Sequence, residues 1–473
     1  MNHLPRSTVR TATGLLAALA LAACSMSRPP EKLELDAPQQ YRESQPVQGA
    51  WSLARPADDS ERGPWWTVFG DPGLNDLIDE ARKANPNLVI AFARVKQARA
   101  TAGVVDADRA VQLDAGVGPT RQGGGAETAT FTQWRAQFNL SYEVDLFGRL
   151  SDTSRAARLD AEGQEAAYRS VLLALEADVA QQYFAIRSLD SELDVLQKTV
   201  RLRQEALRLN QRRYDAGDTS ELDVAQAGTE LANTQAEQEG VQRSRSLRDH
   251  ALAVLLGKAP AQFTLPAALL QAPAISVPAG LPSELLQRRP DIAQAQRQMA
   301  AGSARIGAAK AAFFPSLVLT GTGGYASDEL HNLFHWSSRS WLLGPLFGTA
   351  LNVPLLDGGR NRANLAFATA GYEALVSGYR QQVLVGFQDV EDSLSSLRTL
   401  DLQIQFENEA VRSANLATRL AESRYRNGSA SYLEVIDAQR SSLAAERAQT
   451  QILGLRATAS VGLIRALGGG WNT

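Results

Sequence analysis

The spacing of hydrophobic positions changes several times along the chain, and each change marks a change of element. After residue 360, Tyr372, Leu375, Tyr379, Val383, Phe387, Val390, Leu394 and Leu397 step by three and four. That spacing lays one apolar stripe along one helix face, in the manner of a coiled coil. No proline occurs between Pro119 and Pro260, or between Pro354 and the C-terminus, so nothing there interrupts a long helix. The pattern predicts helices over about 151–214 and 362–425, each ended near a glycine, Gly217 and Gly428. Shorter helices are predicted over about 86–112 and 219–257, with a last one running to about Gly468. A helix of about 64 residues is on the order of 96 Å long at 1.5 Å per residue. It is too long for a compact domain and needs partners along its length. Two shorter helices of about 27 and 39 residues, stacked end to end, would flank it throughout.

Between the helices the period falls to two. Trp134, Ala136, Phe138, Leu140, Tyr142 and Val144 alternate with Gln133, Arg135, Gln137, Asn139, Ser141 and Glu143. A strand with aromatics on one face and polar groups on the other suits lipid on one side and water on the other. Leu317, Leu319, Gly321, Gly323 and Tyr325 mark a weaker strand opposed by Ser316, Thr320 and Thr322. Four strands are predicted, near 113–123, 131–144, 315–326 and 345–355. Membrane barrels begin at eight strands, and open edges in lipid leave backbone groups unpaired at several kcal/mol each. Closure therefore requires several chains: two give a barrel filled by its own side chains, and three give twelve strands around an open lumen.

The pattern is also written twice. Arg213-Tyr214-x-x-Gly217 recurs as Arg424-Tyr425-x-x-Gly428, an offset of 211 that also carries Leu222, Val224 and Ala227 onto Leu433, Val435 and Ala438. Asn85-Pro86-Asn87-Leu88 matches Arg289-Pro290-Asp291-Ile292 at an offset of 204. A tandem duplication of about 200 residues follows, with copies at 65–257 and 290–473 joined by a proline-rich linker, 258–289.

Composition adds little until the N-terminus is considered. Hydrophobic residues make up 44% and charged residues 21% of 473, with a net charge of −3, which favours neither wholesale disorder nor nucleic acid as a partner. Arg6 and Arg10 precede the short apolar run 14–23, which has the layout of a secretory signal over residues 1–23. It ends Leu21-Ala22-Ala23-Cys24, and Cys24 is the sole cysteine. The motif resembles the lipobox of bacterial lipoproteins, which implies cleavage before Cys24 and a covalent lipid upon it. Ser25 follows in place of the aspartate that retains such proteins in the inner membrane, so the implied address is the outer membrane. Residues 24–64 read as a lipidated tether.

Longer motifs carry a second resemblance. Trp65-Trp66-x-x-Phe69-x-Asp71-Pro72-x-Leu74, Asn85-Pro86-Asn87-Leu88, Leu281-Pro282-Ser283-Glu284-Leu285-Leu286-x-Arg288-Arg289-Pro290-Asp291-Ile292, Asp145-Leu146-Phe147-Gly148-Arg149 and Asp357-Gly358-Gly359-Arg360 are similar to the TolC-like outer-membrane factors, in the OprM/NodT lipoprotein branch. The resemblance implies an α+β membrane protein: a homotrimer whose 12-stranded barrel, four strands per chain, continues as a periplasmic α-helical barrel. A mixed equatorial belt would be built from about 51–85, 258–289 and the C-terminal residues. It also implies a passive duct of a tripartite efflux pump. An inner-membrane transporter would hand over small molecules through a periplasmic adaptor protein, and no catalysis or further cofactor would be involved. Its gate would lie at the helix tips. Carried over by position, the gate residues are Asp437 and Glu434, with Leu433 and Tyr432 as hydrophobic narrowing; three copies of Asp437 would form a carboxylate ring favouring cations. The repeated Arg213, Tyr214, Gly217 and Arg424, Tyr425, Gly428 are adaptor-contact candidates. Some members latch the closed state with an arginine two residues after the turn glycine, where this chain has Ala430. A type I protein-secretion duct, a non-conducting periplasmic coiled-coil scaffold and an exported enzyme are the alternatives. His331 and His335, spaced i,i+4, lack a nearby acidic ligand set.

Overall fold

A computed structural model describes residues 41–43, 63–124, 128–271, 288–343 and 351–469. Cys24, the signal segment, most of the tether, and much of the linker and of the expected 345–355 strand lie outside the described residues. The order is α1 (Pro72–Ala84), α2 (Pro86–Ala107), β1 (Gln112–Gly124), β2 (Thr128–Val144), α3 (Arg149–Asp215), α4 (Glu221–Leu255), α5 (Pro290–Ala311), β3 (Ser316–Ser327), β4 (Arg339–Leu343), β5 (Leu351–Asn352), α6 (Arg360–Arg426) and α7 (Tyr432–Ala466). A 3-10 turn, Trp65–Phe69, precedes α1. The long helices α3 and α6 have 67 residues each, α4 and α7 have 35 each, and α2 and α5 have 22 each. Their boundaries are offset by 211, 211 and 204 positions, the offsets found in the sequence. Among the described residues no helix is long and apolar enough to cross a membrane.

Two helix expectations need correction. The helix from residue 86 ends at Ala107 rather than near 112, because Arg109 and Ala110 donate to the carbonyls of Asp106 and Ala107, which tightens the end into a turn. Together α2 and α4 have fewer residues than α3, so they fall short of its full length.

The chain forms two compact units. One, within 93–165 and 294–381, holds the sheet. Its strands are antiparallel in the order β1-β2-β3-β4, and β5 also pairs with β3. Register follows the two-residue period. Leu113, Ala115 and Val117 sit opposite Leu140, Phe138 and Ala136, while Asp114 faces Asn139. On the other side of β2, Leu140, Tyr142 and Val144 face Gly321, Leu319 and Leu317, and Asn139 and Ser141 face Thr322 and Thr320. The sheet therefore has one apolar face and one polar face across three strands, as a one-residue slip would not allow. Val117 (79% exposed), Phe138 (59%) and Trp341 (76%) stand uncovered on the apolar face. Gly324 lets β3 approach closely, since a Cβ there would collide with the Ala136 carbonyl of β2. The expected fourth strand begins earlier than its polarity pattern suggested: pairing to β3 starts at Arg339 and runs through Trp341 and Leu342, with Leu351–Asn352 as a second short piece.

The other unit comprises the described parts of 36–92, 166–293 and 382–473. Trp65, Trp66, Phe69, Leu74 and Ile78 bury themselves against Val179, Tyr183 and Phe184 of α3, Leu252 of α4 and Val461 and Ile464 of α7. Asp71 caps α1, accepting from the Gly73 and Leu74 amides, and Tyr183 Oη donates to its other oxygen at 2.5 Å. The short helices are joined end to end by side chains. Asn85 caps α2 and donates from Nδ2 to the Leu255 carbonyl at the end of α4, 2.8 Å away. At the corresponding place Arg289 donates to the Ala466 carbonyl at the end of α7. Gly257 and Gly468 both have positive φ, and a Cβ on either would press into backbone, of Ala84 and Arg288 respectively.

Beneath this core lies Glu176, which accepts from Trp65 Nε1 at 2.9 Å and lies 3.5 Å from Arg82. Burial pushes its carboxyl up to about 7 from 4.5, against the pull of Trp65 and Arg82. The folded state therefore holds this proton between about pH 4.5 and 7 while the unfolded state has lost it, so this group's contribution falls as pH rises through that window. Glu176→Gln keeps an acceptor for Trp65 without the buried charge. It is expected to raise Tm relative to wild type at pH 8, with the gain shrinking towards pH 5, as read by calorimetry at several pH values.

Candidate functional site

The two helical hairpins turn through the repeated glycines. At the first, the Gly217 and Asp218 amides donate to the Tyr214 and Arg213 carbonyls; at the second, Gly428 and Ser429 donate to Tyr425 and Arg424. Gly217 (φ 79°) and Gly428 (φ 71°) occupy the left-handed region such helix ends need. Ser220 and Ser431 then cap the returning helices, accepting from the Asp223 and Glu434 amides.

One tip cluster links the hairpins. Tyr432, Val435 and Ile436 of α7 pack with Ala227 of α4, and Leu207, Ala421 and Tyr425 close around them. The rings of Tyr425 and Tyr432 lie 5.4 Å apart, Tyr425 Oη donates to buried Asn210 at 3.0 Å, and the Arg213 guanidinium sits 5.2 Å over the Tyr425 ring. Burial, with Tyr425 alongside, pushes the Tyr432 hydroxyl up to about 12. The opposite face of α7 is exposed and carries Leu433, Glu434, Asp437 and Arg440. The four sequence candidates therefore divide. Tyr432 points into the chain's own tip core, because its ring completes the cluster with Tyr425, whereas Leu433, Glu434 and Asp437 share the solvent-facing side. Arg424 Nη1 lies 3.2 Å from Glu434, and Arg440 lies 3.8 Å from Asp437.

Sequence reasoning missed the charged cluster behind this face. Glu230 of α4 is buried and takes Arg203 of α3 at 3.1 Å and Arg440 of α7 at 2.5 Å, so one carboxylate ties three helices. Arg203 also donates to the Glu230 carbonyl at 2.7 Å and to the Thr234 hydroxyl. Burial holds the Arg203 guanidinium below its ordinary range, and Glu230 opposes that shift. Further up, Arg447 of α7 reaches Glu192 of α3 at 2.9 Å and Glu237 of α4 at 2.7 Å. A signal was available in the repeat: at an offset of 211, Arg203, Asn210 and Glu230 fall on Ala414, Ala421 and Ser441. Of these, Asn210 and Glu230 reach across to the second hairpin, at Tyr425 and Arg440.

The model of the family described as "Outer membrane efflux protein" matches residues 77–258 and again 281–469. The chain belongs to that outer-membrane efflux family. Its two matches start 204 and end 211 positions apart, as the internal register does. Among relatives of this efflux family, the chain is 34% identical over 458 residues to "Cation efflux system protein CusC" of Escherichia coli K12, covering 96% of this chain and 98% of that one. It is 35% identical to "Outer membrane protein OprJ" of Pseudomonas aeruginosa over 97% of this chain and 96% of that one. A solved membrane protein from Pseudomonas aeruginosa superposes with a TM-score of 0.85 at 34% identity, covering 95% of this chain and 98% of that one. Family membership places the protein in the outer membrane and in efflux.

Proposed function

We propose that three copies of this chain form the outer-membrane exit duct of a tripartite efflux pump, receiving small solutes from an inner-membrane transporter through a periplasmic adaptor. One observation carries the reading. Among the described residues the sheet is open, with β1 at one edge, yet it has an apolar face and a polar face in register. An open edge in lipid costs several kcal/mol per unpaired group, and neighbouring copies are the simplest way to pair it. Four strands from each of three chains would make twelve, with Gln137, Asn139 and Thr322 lining water and Phe138, Leu140 and Trp341 meeting lipid. The helices support the same assembly: Leu402, Phe406, Leu416 and Leu420 of α6 are left 48–74% exposed by one chain, more apolar surface than a lone soluble helix tolerates.

At the tips, three exposed faces bearing Leu433, Glu434 and Asp437 would converge on the axis and favour cations, with Arg440 moderating the charge. Gly217, Gly428, Tyr214, the exposed Arg424 and the partly buried Arg213 and Tyr425 would present the turns to the adaptor. Cys24 would carry the lipid. The duct needs no catalytic group for this work, since transport is driven elsewhere.

Purified protein reconstituted in planar bilayers is expected to conduct in unitary steps with cation preference, and its native mass in detergent is expected to be three chains. A monomeric particle that conducts no current would refute the reading in favour of a scaffold.

A further inference from the structure

The internal repeat exposes a device that the duct reading leaves unused. In the first copy, buried Arg187, Asp190, Arg245 and Asp249 hold the start of the linker. Asp190 accepts from Arg245 Nε at 2.6 Å and from the Ala268 amide at 3.1 Å. Asp249 accepts from the Leu265 amide at 3.0 Å, while Arg245 and Arg187 donate to the Leu265 and Pro266 carbonyls, each at 2.6 Å. Four side chains thus grip one extended segment by its backbone.

At an offset of 211 these residues become Arg398, Asp401, Arg456 and Ser460. The internal pair is kept atom for atom, with Arg456 Nε donating to Asp401 Oδ1 at 2.5 Å. Another segment sits there. Arg398 Nη2 donates to Glu43 at 2.6 Å, where Arg187 reaches Pro266 in the first copy. Seven residues earlier on α6, Glu391 accepts from two successive backbone amides, Arg42 at 2.7 Å and Glu43 at 3.0 Å. Tyr41 is 1% exposed and its ring meets Phe387 edge-on with centroids 6.5 Å apart.

We propose that Glu391, Arg398 and Phe387 form a second segment-holding clasp whose occupant is the chain's own N-terminal segment at Tyr41–Glu43, at the place where the first copy holds the linker. The clasp makes Tyr41–Glu43 a structural part of the helical unit. The 17 residues from Cys24 to Tyr41 reach at most about 60 Å, which sets how far any lipid on Cys24 can lie from α6. The proposal rests on the duct reading only for that lipid; the clasp itself does not.

Hydrogen–deuterium exchange on the full-length protein in detergent tests it. The Arg42 and Glu43 amides are expected to exchange at least tenfold more slowly in wild type than in Glu391→Ala. Arg398→Glu is expected to speed them, and Glu43→Arg added to Arg398→Glu is expected to restore protection. Because Arg398 is exposed, this pair remains informative if Glu391→Ala fails to fold. Equal exchange in wild type and Arg398→Glu, or no rescue by the swap, overturns the clasp. Cys24→Ser separates it from the duct reading: protection is expected to survive loss of the lipid, and its loss would show that the lipid, not α6, holds the segment.

Discussion

Phe138→Arg is expected to abolish assembly in the outer membrane, whereas Asn139→Arg, one position along the same strand, is expected to assemble and shift selectivity towards anions. Phe138 stands on the apolar face of β2 opposite Ala115 and Gly323, and Asn139 lies on the polar face opposite Asp114 and Thr322. A guanidinium on the lipid face costs about 2–4 kcal/mol near the bilayer midplane. Three chains in one barrel repeat the cost three times, roughly 6–12 kcal/mol, comparable to the whole stability of an ordinary domain. On the water side the charge stays solvated, so the cost is small and the effect is on passing ions. Heat-modifiable migration of the assembled form and reversal potentials in a salt gradient read the two outcomes. Equal assembly of both variants would mean that the faces are assigned the wrong way round, or that the sheet does not meet lipid.

The strand register and the long helices were legible in the sequence because each rests on a local period. Phe138 and Asn139 differ by one position in a strict alternation, and Arg149–Asp215 runs without proline between two glycine signals. The stop at Ala107 was not legible, since the sequence from Asp106 to Val111 is as compatible with helix as with turn, and hydrogen bonds to neighbouring carbonyls decided it. The short strand Arg339–Leu343 was hidden because three apolar residues in a row, Trp341, Leu342 and Leu343, carry no alternation. At the tip, the Gly217 and Gly428 turns were legible because the repeat writes them twice. The burial of Tyr432 was not legible, because whether a tyrosine faces its own core depends on Tyr425, which is seven residues earlier and on another helix. Glu230 was overlooked for a similar reason: a glutamate in a polar helix reads as solvated until the arginines of two other helices are found around it.

Those arginines make Glu230 the strongest single handle on the tip. Glu230→Ala is expected to cost about 3–5 kcal/mol, because it leaves Arg203 buried without its carboxylate. The side chains of Arg203 and Glu230 are each only 7% exposed, so neither can turn to water without opening the helices. The same substitution releases Arg440, which is then free to pair more closely with Asp437, now 3.8 Å away, on the exposed face. Two effects should therefore appear together. Thermal unfolding should shift down as α3, α4 and α7 lose their shared tie, and single-channel conductance should rise with weaker cation preference as the tip loosens and Asp437 is neutralised. Arg440→Ala separates the effects. It spares the buried Arg203–Glu230 pair, so stability should change little because Arg440 is exposed, while cation preference should strengthen. If Arg440→Ala leaves ion selectivity unchanged, Asp437 does not face the permeation path, and the gate must be sought elsewhere along α7.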